Sequence, residues 1–300
     1  MKEFSQDLLL KDNSKSTVIN KYLVKINQGF HTIFKFMGLR IKMRLQKKHK
    51  SEVNLLFDPG SGIGNRMFGI VNALNYFTPD VLNIYWDTDN WVSCRLDEIF
   101  NIETSAQINE YNSADFIENA KKDALTILSP SSGLRNNKGK SISLMYQNTS
   151  PKDIANLTPF FAKIKPSKKV MERIEALPQN IDYALQIRNN KDWNDFGRNE
   201  SMESFFNELR KLPKGSKVYL SAMNKEVADE IKNNFGEMII ELPNKNYSSM
   251  IDATADMYML SRAKYGIYSY GSTFSEFAFW LGGAKQKVIT VGSEKNWKYN

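Results

Sequence analysis

The stretch 256–282, DMYMLSRAKYGIYSYGSTFSEFAFWLG, joins a helix to a short apolar strand and the strand to a second helix. Apolar residues at helical spacing flank the run YGIYS, which has the aromatic and β-branched composition of a strand. Ser272 and Thr273 stand between that strand and the second helix, which we expect to begin near Phe274. Their hydroxyls could cap the helix, or they could bind a phosphate together with the helix N–H groups.

Strands and helices alternate on both sides of this stretch. We predict strands at 53–57 and 81–86 and helices at 66–77 and 96–100, a βαβ pattern typical of a parallel sheet. The topology of 101–165 stays open, and a connecting helix is expected within 163–180. Alternation then resumes from 182 to 291. The predicted fold is α/β, with an N-terminal extension at 1–50 and two Rossmann-like domains, 51–165 and 166–300, facing a cleft.

Composition and charge exclude several classes of protein. With 41% apolar and 25% charged residues, the sequence is that of a folded globular chain. It has no apolar run of the roughly 18 residues that a membrane-spanning helix needs, and no signal-peptide pattern at its start. A single cysteine, Cys94, leaves no partner for an intramolecular disulfide. We therefore expect a cytoplasmic protein.

The net charge of +8 belongs to the extension. Residues 1–50 hold 12 Lys/Arg and 3 Asp/Glu, whereas the other 250 residues are nearly neutral, which argues against a nucleic-acid partner. Apolar residues from Ile19 to Ile41 follow helical spacing opposite a lysine-rich face. This pattern predicts that residues 18–50 bind an anionic membrane surface, peripherally at the inner face. The alternative is a helix that packs on the body of the protein or on a second copy.

The turn after the first strand, GSGIGN at 60–65, is the first candidate ligand site. Gly62 and Gly64 allow a ligand to approach the backbone, and the following helix start favours an anion. Asn65 closes the turn. The pattern is not the complete dinucleotide-binding fingerprint, so an ordinary tight turn is an equal alternative.

Arg188, at the end of the predicted strand 182–188, is the second candidate. A guanidinium at this place is suited to a phosphate, although an ion pair with Asp192 or Asp195 would also account for it. Asp256 could accept two N–H donors from a guanine edge, and its alternative is a solvated helix carboxylate. Both histidines lie in the extension, so no Ser-His-Asp or Cys-His set is credible and no metal site is expected. The Asp87-Thr88-Asp89 run is interpreted as a loop over an acceptor groove.

Four motifs resemble those of the GDP-fucose fucosyltransferase superfamily, which includes α1,2- and α1,6-fucosyltransferases and protein O-fucosyltransferases. They are GSGIGNRMF, ALQIRNN, VYLSAMNKEV and ADMYMLSRAKYGIYSYGSTFSEFAFWL, and they occur in the family's order within residues 53–291. The resemblance implies a GT-B fold and an inverting transfer that needs no metal or other cofactor. It assigns the donor's β-phosphate to Arg188, guanine to Asp256, the donor phosphates to Ser272 and Thr273, and the family's turn asparagine to Asn65.

Two departures from the family pattern bear on the donor. Gln186 and Lys191 replace the usual histidine and acid around the arginine, and only Ser221 remains of a Ser/Thr-Asp-Asp strand end. Gln186 can still hydrogen-bond a base or ribose, so GDP-fucose is the expected donor and another GDP-sugar or nucleotide sugar is the alternative.

The expected acceptor is a hydroxyl of a glycan, a surface polysaccharide or a lipid-linked oligosaccharide. A non-catalytic, membrane-associated module that binds nucleotide sugar or glycan is the alternative from another class. The sequence does not rank the candidate bases, which are Asp87, Asp89, Asp192, Asp195 and Glu276.

Overall fold

The computed structural model describes residues 51–57, 61–112, 115, 125–129, 157–188 and 201–292. The predicted membrane-binding extension lies outside these residues. So do Asp192 and Asp195, two of the candidate bases.

The first sheet is parallel and has the strand order β4-β2-β1-β5. Its strands are β1 (Glu52–Phe57), β2 (Val81–Tyr85), β4 (Gln107–Tyr111) and β5 (Leu125–Ser129). Helix α1 (Ile63–Phe77) joins β1 to β2 and buries Met67, Ile70 and Val71 against the sheet. After β1 the chain adds β2 and then β4 on one side of that strand, and later adds β5 on its other side. The topological switch point of this sheet therefore lies beside β1.

A short antiparallel pair connects the two halves of the chain. Strand β3 (Phe100–Ile102) pairs with β6 (Ile164–Pro166), and α2 (Lys168–Ile174) follows. The predicted helix at 96–100 is wrong: residues 96–99 form a turn that leads into β3. Pairing with β6 overrides the local helical pattern. The connecting helix expected within 163–180 is shorter than that range. It starts after Ser167, whose hydroxyl caps α2 by accepting a hydrogen bond from the Val170 N–H, and it ends at Ile174.

The second sheet is also parallel and has the order β11-β10-β7-β8-β9. It contains β7 (Ile181–Ile187), β8 (Val218–Ala222), β9 (Ile239–Ile240), β10 (Ala263–Ser269) and β11 (Lys287–Val291). The helices that accompany it are α3 (Met202–Arg210), α4 (Lys225–Phe235), α5 (Met250–Ser261) and α6 (Thr273–Leu281). The strand order reverses between β7 and β10, and that is the second switch point.

An aromatic cluster joins the two halves. The ring of Phe68 on α1 lies 5.4 Å from that of Phe277 on α6, and Phe161 packs edge-on against Phe277 at 5.4 Å. Phe161 also stacks on Trp280 at 5.1 Å. One buried core therefore runs from the first sheet to α5 and α6, while α3 and α4 cover a second core on the other face of the second sheet. Among the described helices, none is both long and apolar enough to cross a membrane.

Candidate functional site

Arg188, Gln186 and Ser221 come together at the carboxyl edge of the second sheet. Gln186 on β7 is in register with Ser221 on β8 and with Tyr268 on β10. Arg188 directly follows β7, and its backbone N–H donates to the Ser269 hydroxyl at 2.8 Å. This contact spans the switch point between β7 and β10, where ligands bind in open α/β sheets.

The start of α6 lies at the same edge. Gly271 has φ 65°, a left-handed conformation that glycine adopts without strain, and Ser272 is the N-cap residue. The Ser272 side chain is 1% exposed, yet it makes no capping bond and its Oγ has no hydrogen-bond partner among the described residues. Thr273 is the first helical residue, so α6 begins one residue before the expected Phe274 and Ser272 alone stands at the N-cap position. A buried hydroxyl without a partner costs free energy, which points to a ligand at this helix start.

The glycine turn of the first half meets this helix start. Gly62 is the N-cap of α1, and a Cβ atom placed on Gly64 would lie 2.5 Å from the Thr273 carbonyl oxygen. Only glycine allows the two backbones to approach this closely. Beside the contact, the Ser61 Oγ and Asn65 Oδ1 atoms are buried and also lack a partner within the described ranges. Two helix N-termini and three unsatisfied polar atoms are thus brought to one place.

Arg66, which sequence reasoning missed, organises the first half of the site. Its side chain is 1% exposed and donates to the Ser61 carbonyl at 2.8 Å, the Asp87 carbonyl at 2.5 Å and Asp89 Oδ2 at 2.6 Å. The guanidinium also lies 5.0 Å from the Trp86 ring centroid. Burial lowers the pKa of Arg66, and the neighbouring Asp89 carboxylate opposes that change. Arg66 therefore ties the glycine turn to the loop that follows β2.

The candidate bases differ in their surroundings. Asp89 accepts from the Trp91 and Val92 N–H groups through Oδ1, each at 2.8 Å, while Oδ2 binds Arg66. These contacts give Asp89 an anchoring function in its loop. Glu276 lies in the first turn of α6 and is 9% exposed. Among the described candidate bases, Glu276 is the one that belongs to α6 itself.

Asp256 is buried inside α5, in contrast to the solvated carboxylate considered as its alternative. Its Oδ1 accepts from the Tyr219 hydroxyl at 2.7 Å, and its Oδ2 accepts from Lys245 Nζ at 2.7 Å. The Ser221 side chain lies near this carboxylate. Burial raises the pKa of Asp256, against the opposing effects of Lys245, Tyr219 and Ser221. Asp256 is thus close to Ser221, a residue near the end of β8 that was predicted to bind the sugar donor.

The sequence matches no protein-family model and no curated protein. The fold is similar to that of NodZ α-1,6-fucosyltransferase co-crystallised with GDP, at 15% identity and a TM-score of 0.52, covering 76% of this chain and 92% of that one. It is similar to fucosyltransferase NodZ from Bradyrhizobium with 15% identity, a TM-score of 0.50 and the same coverage. POFUT1 in complex with GDP matches at 10% identity and a TM-score of 0.47, covering 81% of this chain and 99% of that one. The predicted GT-B-like α/β fold is confirmed by the two NodZ structures.

Proposed function

We propose that this chain is a glycosyltransferase that moves fucose from GDP-fucose to a hydroxyl of a glycan acceptor, with inversion and without a metal. The observation that carries the proposal is the meeting of Arg188 and the start of α6 at the switch point of the second sheet, with the Ser272 hydroxyl buried and unpartnered among the described residues. The similar fold of NodZ, which was co-crystallised with GDP, supports a nucleotide-binding function.

The proposed chemistry follows from the charge that develops during transfer. As the bond to the sugar breaks, negative charge grows on the leaving diphosphate and positive charge on the sugar. Arg188 would stabilise the β-phosphate, and Ser272, Thr273 and the N–H groups of α6 would bind the remaining phosphate oxygens. Gly62, Gly64 and Asn65 would border the same phosphates from α1. Because these groups supply positive charge, we propose that no divalent ion is needed, and full activity in EDTA is the expected result.

The remaining roles complete the proposed donor and acceptor sites. Asp256 would read the guanine edge, with Gln186 and Ser221 beside it at the ends of β7 and β8. Glu276 is the described carboxylate that we assign to removal of the acceptor proton, because it belongs to the first turn of the phosphate-binding helix. Glu276→Gln is then expected to retain GDP affinity and lose transfer activity.

The decisive test is the Arg188→Ala variant. We expect it to lower the turnover of GDP-fucose by about 10²–10³-fold, the usual cost of removing one donor to a developing anion. Arg210→Ala is the matched control, since Arg210 is an exposed residue of α3 that pairs with Glu203. The assay is GDP release with purified protein and a panel of glycan acceptors. Equal turnover in both variants would refute the assignment. Turnover of another GDP-sugar in place of GDP-fucose would correct the donor, and binding without any turnover would indicate a binding module.

We also propose that residues 18–50 hold the enzyme at the inner face of an anionic membrane, where a lipid-linked glycan would be its acceptor. The basic residues and apolar stripe of this segment support the proposal. Replacing Lys21, Lys25, Lys35 and Lys42 with glutamine in the full chain should abolish flotation with phosphatidylglycerol vesicles. Unchanged flotation would contradict the membrane assignment.

A further inference from the structure

Lys245 is a buried cation at the position where the proposed function places the guanine base. Its side chain is 4% exposed, and its ammonium lies 2.7 Å from Asp256 Oδ2 and 3.4 Å from the Ala222 carbonyl oxygen. Ala222 ends β8, and Asp256 belongs to α5 beside that strand, where it also accepts from the Tyr219 hydroxyl of β8. The ammonium therefore presents N–H donors to a carboxylate oxygen and a backbone carbonyl.

Guanine carries the same donor pattern. Its N1–H and N2–H groups are adjacent on one edge, so they can bind the same two acceptors that Lys245 binds in this structure. Adenine presents an acceptor at N1 next to its amino group, and uracil presents a single N–H between two carbonyls. A base can therefore reach Asp256 only by replacing Lys245, and guanine is the base whose edge matches what the ammonium supplies.

A second carboxylate is in place to receive the displaced ammonium. Glu241 Oε1 lies 3.5 Å from Lys245 Nζ, and this side chain also binds Lys232 at 2.9 Å and the Tyr247 hydroxyl at 2.7 Å. A small rotation at the end of the lysine side chain would exchange one ion pair for another. The charge of Lys245 would then remain paired, which avoids the large cost of an isolated buried cation.

The backbone around Lys245 is fixed, so we expect the side chain alone to move. The Pro243 carbonyl accepts from Arg173 at 2.9 Å, and the Asn246 N–H donates to Asp252 Oδ2 at 2.8 Å. Arg173 and Asp252 are themselves joined by two hydrogen bonds, of 2.6 and 3.1 Å. The loop on both sides of Lys245 is thus held to α2 and α5.

We propose that Lys245 is a specificity-determining residue of the donor site. Its ammonium is paired with Asp256, and only a base with two adjacent N–H donors displaces it efficiently toward Glu241. This inference rests on the proposed function, because it assumes that the nucleotide binds at the carboxyl edge of the second sheet. The ion pair lowers the affinity for every nucleotide and lowers it least for guanine.

Calorimetric titration with GDP and with ADP tests the inference, using the full chain and the variants Lys245→Met, Glu241→Gln and their combination. We expect Lys245→Met to bind GDP at least about fivefold more tightly, because the competing ammonium is gone. Glu241→Gln should bind GDP several-fold more weakly, since the displaced lysine loses its second partner. The double variant should match Lys245→Met, and the preference for GDP over ADP should decrease in both proteins that lack Lys245.

Lys245→Gln is the second variant, because it keeps a neutral donor next to Asp256 if Lys245→Met does not fold. It too should bind GDP more tightly than the natural protein. If the natural protein binds GDP and neither Lys245 variant binds it more tightly, the role of Lys245 is refuted and the donor site stands. If no form of the protein binds GDP, the proposed function fails together with this inference. Tighter GDP binding in the Lys245 variants, whatever the affinity of the natural protein, supports both.

Discussion

Gly64 is the residue at which the two halves of the proposed donor site can be tested together. A serine Cβ at this position would lie 2.5 Å from the Thr273 carbonyl oxygen and 2.7 Å from its carbonyl carbon. Ordinary contacts are about 3.5–4.0 Å, so the starts of α1 and α6 must separate by roughly 1 Å. Both obstructing atoms belong to the backbone, and rotation of a side chain cannot relieve the overlap.

The expected effect of Gly64→Ser follows from two opposing contributions. Overpacking of this kind costs about 1–3 kcal/mol. The higher helix propensity of serine returns roughly 0.5 kcal/mol, because glycine is the poorer residue within a helix. We therefore expect the free energy of unfolding to fall by about 0.5–2.5 kcal/mol. A displacement of about 1 Å at the start of α6 should also weaken GDP binding, because the N–H groups of that helix would no longer be placed for the phosphates.

Gly62→Ser is the matched control for this prediction. Gly62 has φ −68°, a Cβ atom at this residue would have no heavy atom within 4 Å, and serine is a favoured N-cap residue. The free energy of unfolding of Gly62→Ser should therefore stay within about 0.5 kcal/mol of that of the natural protein or rise slightly. Urea denaturation and calorimetry with GDP measure both effects. The reasoning is refuted if the two serine variants unfold at the same urea concentration, or if Gly64→Ser binds GDP as tightly as the natural protein does.

Two further predictions separate stabilising residues from ligand-binding ones. Ser272→Ala should leave the free energy of unfolding unchanged or raise it, and should weaken GDP binding, because its buried hydroxyl caps nothing. Ser201→Ala should lower the free energy of unfolding by about 1 kcal/mol and leave the GDP affinity unchanged, since the Ser201 hydroxyl accepts a hydrogen bond from the Ser204 N–H. Urea denaturation and calorimetry with GDP measure both effects, and the reverse pattern would contradict these assignments. Arg66→Met should lower the free energy of unfolding by about 3–5 kcal/mol, because it removes the buried partner of Asp89. The control is Arg95→Met, which removes an exposed ion pair and should lower the free energy of unfolding by at most about 1 kcal/mol. Similar urea midpoints for the two arginine variants would contradict this.

Local patterns were sufficient to predict much of the fold. Apolar periodicity and turn residues gave the alternation of strands and helices, and the order of strand, Gly-Ser-Thr and helix placed Ser272 at an N-cap. The helix predicted at 96–100 was wrong because Phe100 starts a strand that pairs with residues 164–166, more than 60 positions away. Contacts of that range leave no mark in the local pattern.

The buried ion pairs were missed for the same reason. Nothing near Asp256 in the sequence indicates that Lys245 and Tyr219 converge on it, because Tyr219 comes from β8 and Lys245 from a loop beyond β9. Arg66 offered a weak signal that was not used: a charged residue on the apolar side of α1, one position after the turn asparagine. A cation at such a place must be paired, and the Asp87-Thr88-Asp89 run is the first place after Arg66 where two carboxylates stand close together in the sequence.

One turn of α1 connects the two chemical ends of the proposed reaction. Gly64 fixes how closely α6 approaches, and therefore where the donor phosphates would be bound. Arg66, two residues later, fixes the loop containing Asp87 and Asp89 on the proposed acceptor side. Transition-state stabilisation by oriented dipoles requires that neither side reorganise during the reaction. A rigid helical turn in contact with both meets that requirement, so changes at 64 and 66 should reduce turnover more than exposed changes of equal size elsewhere on α1.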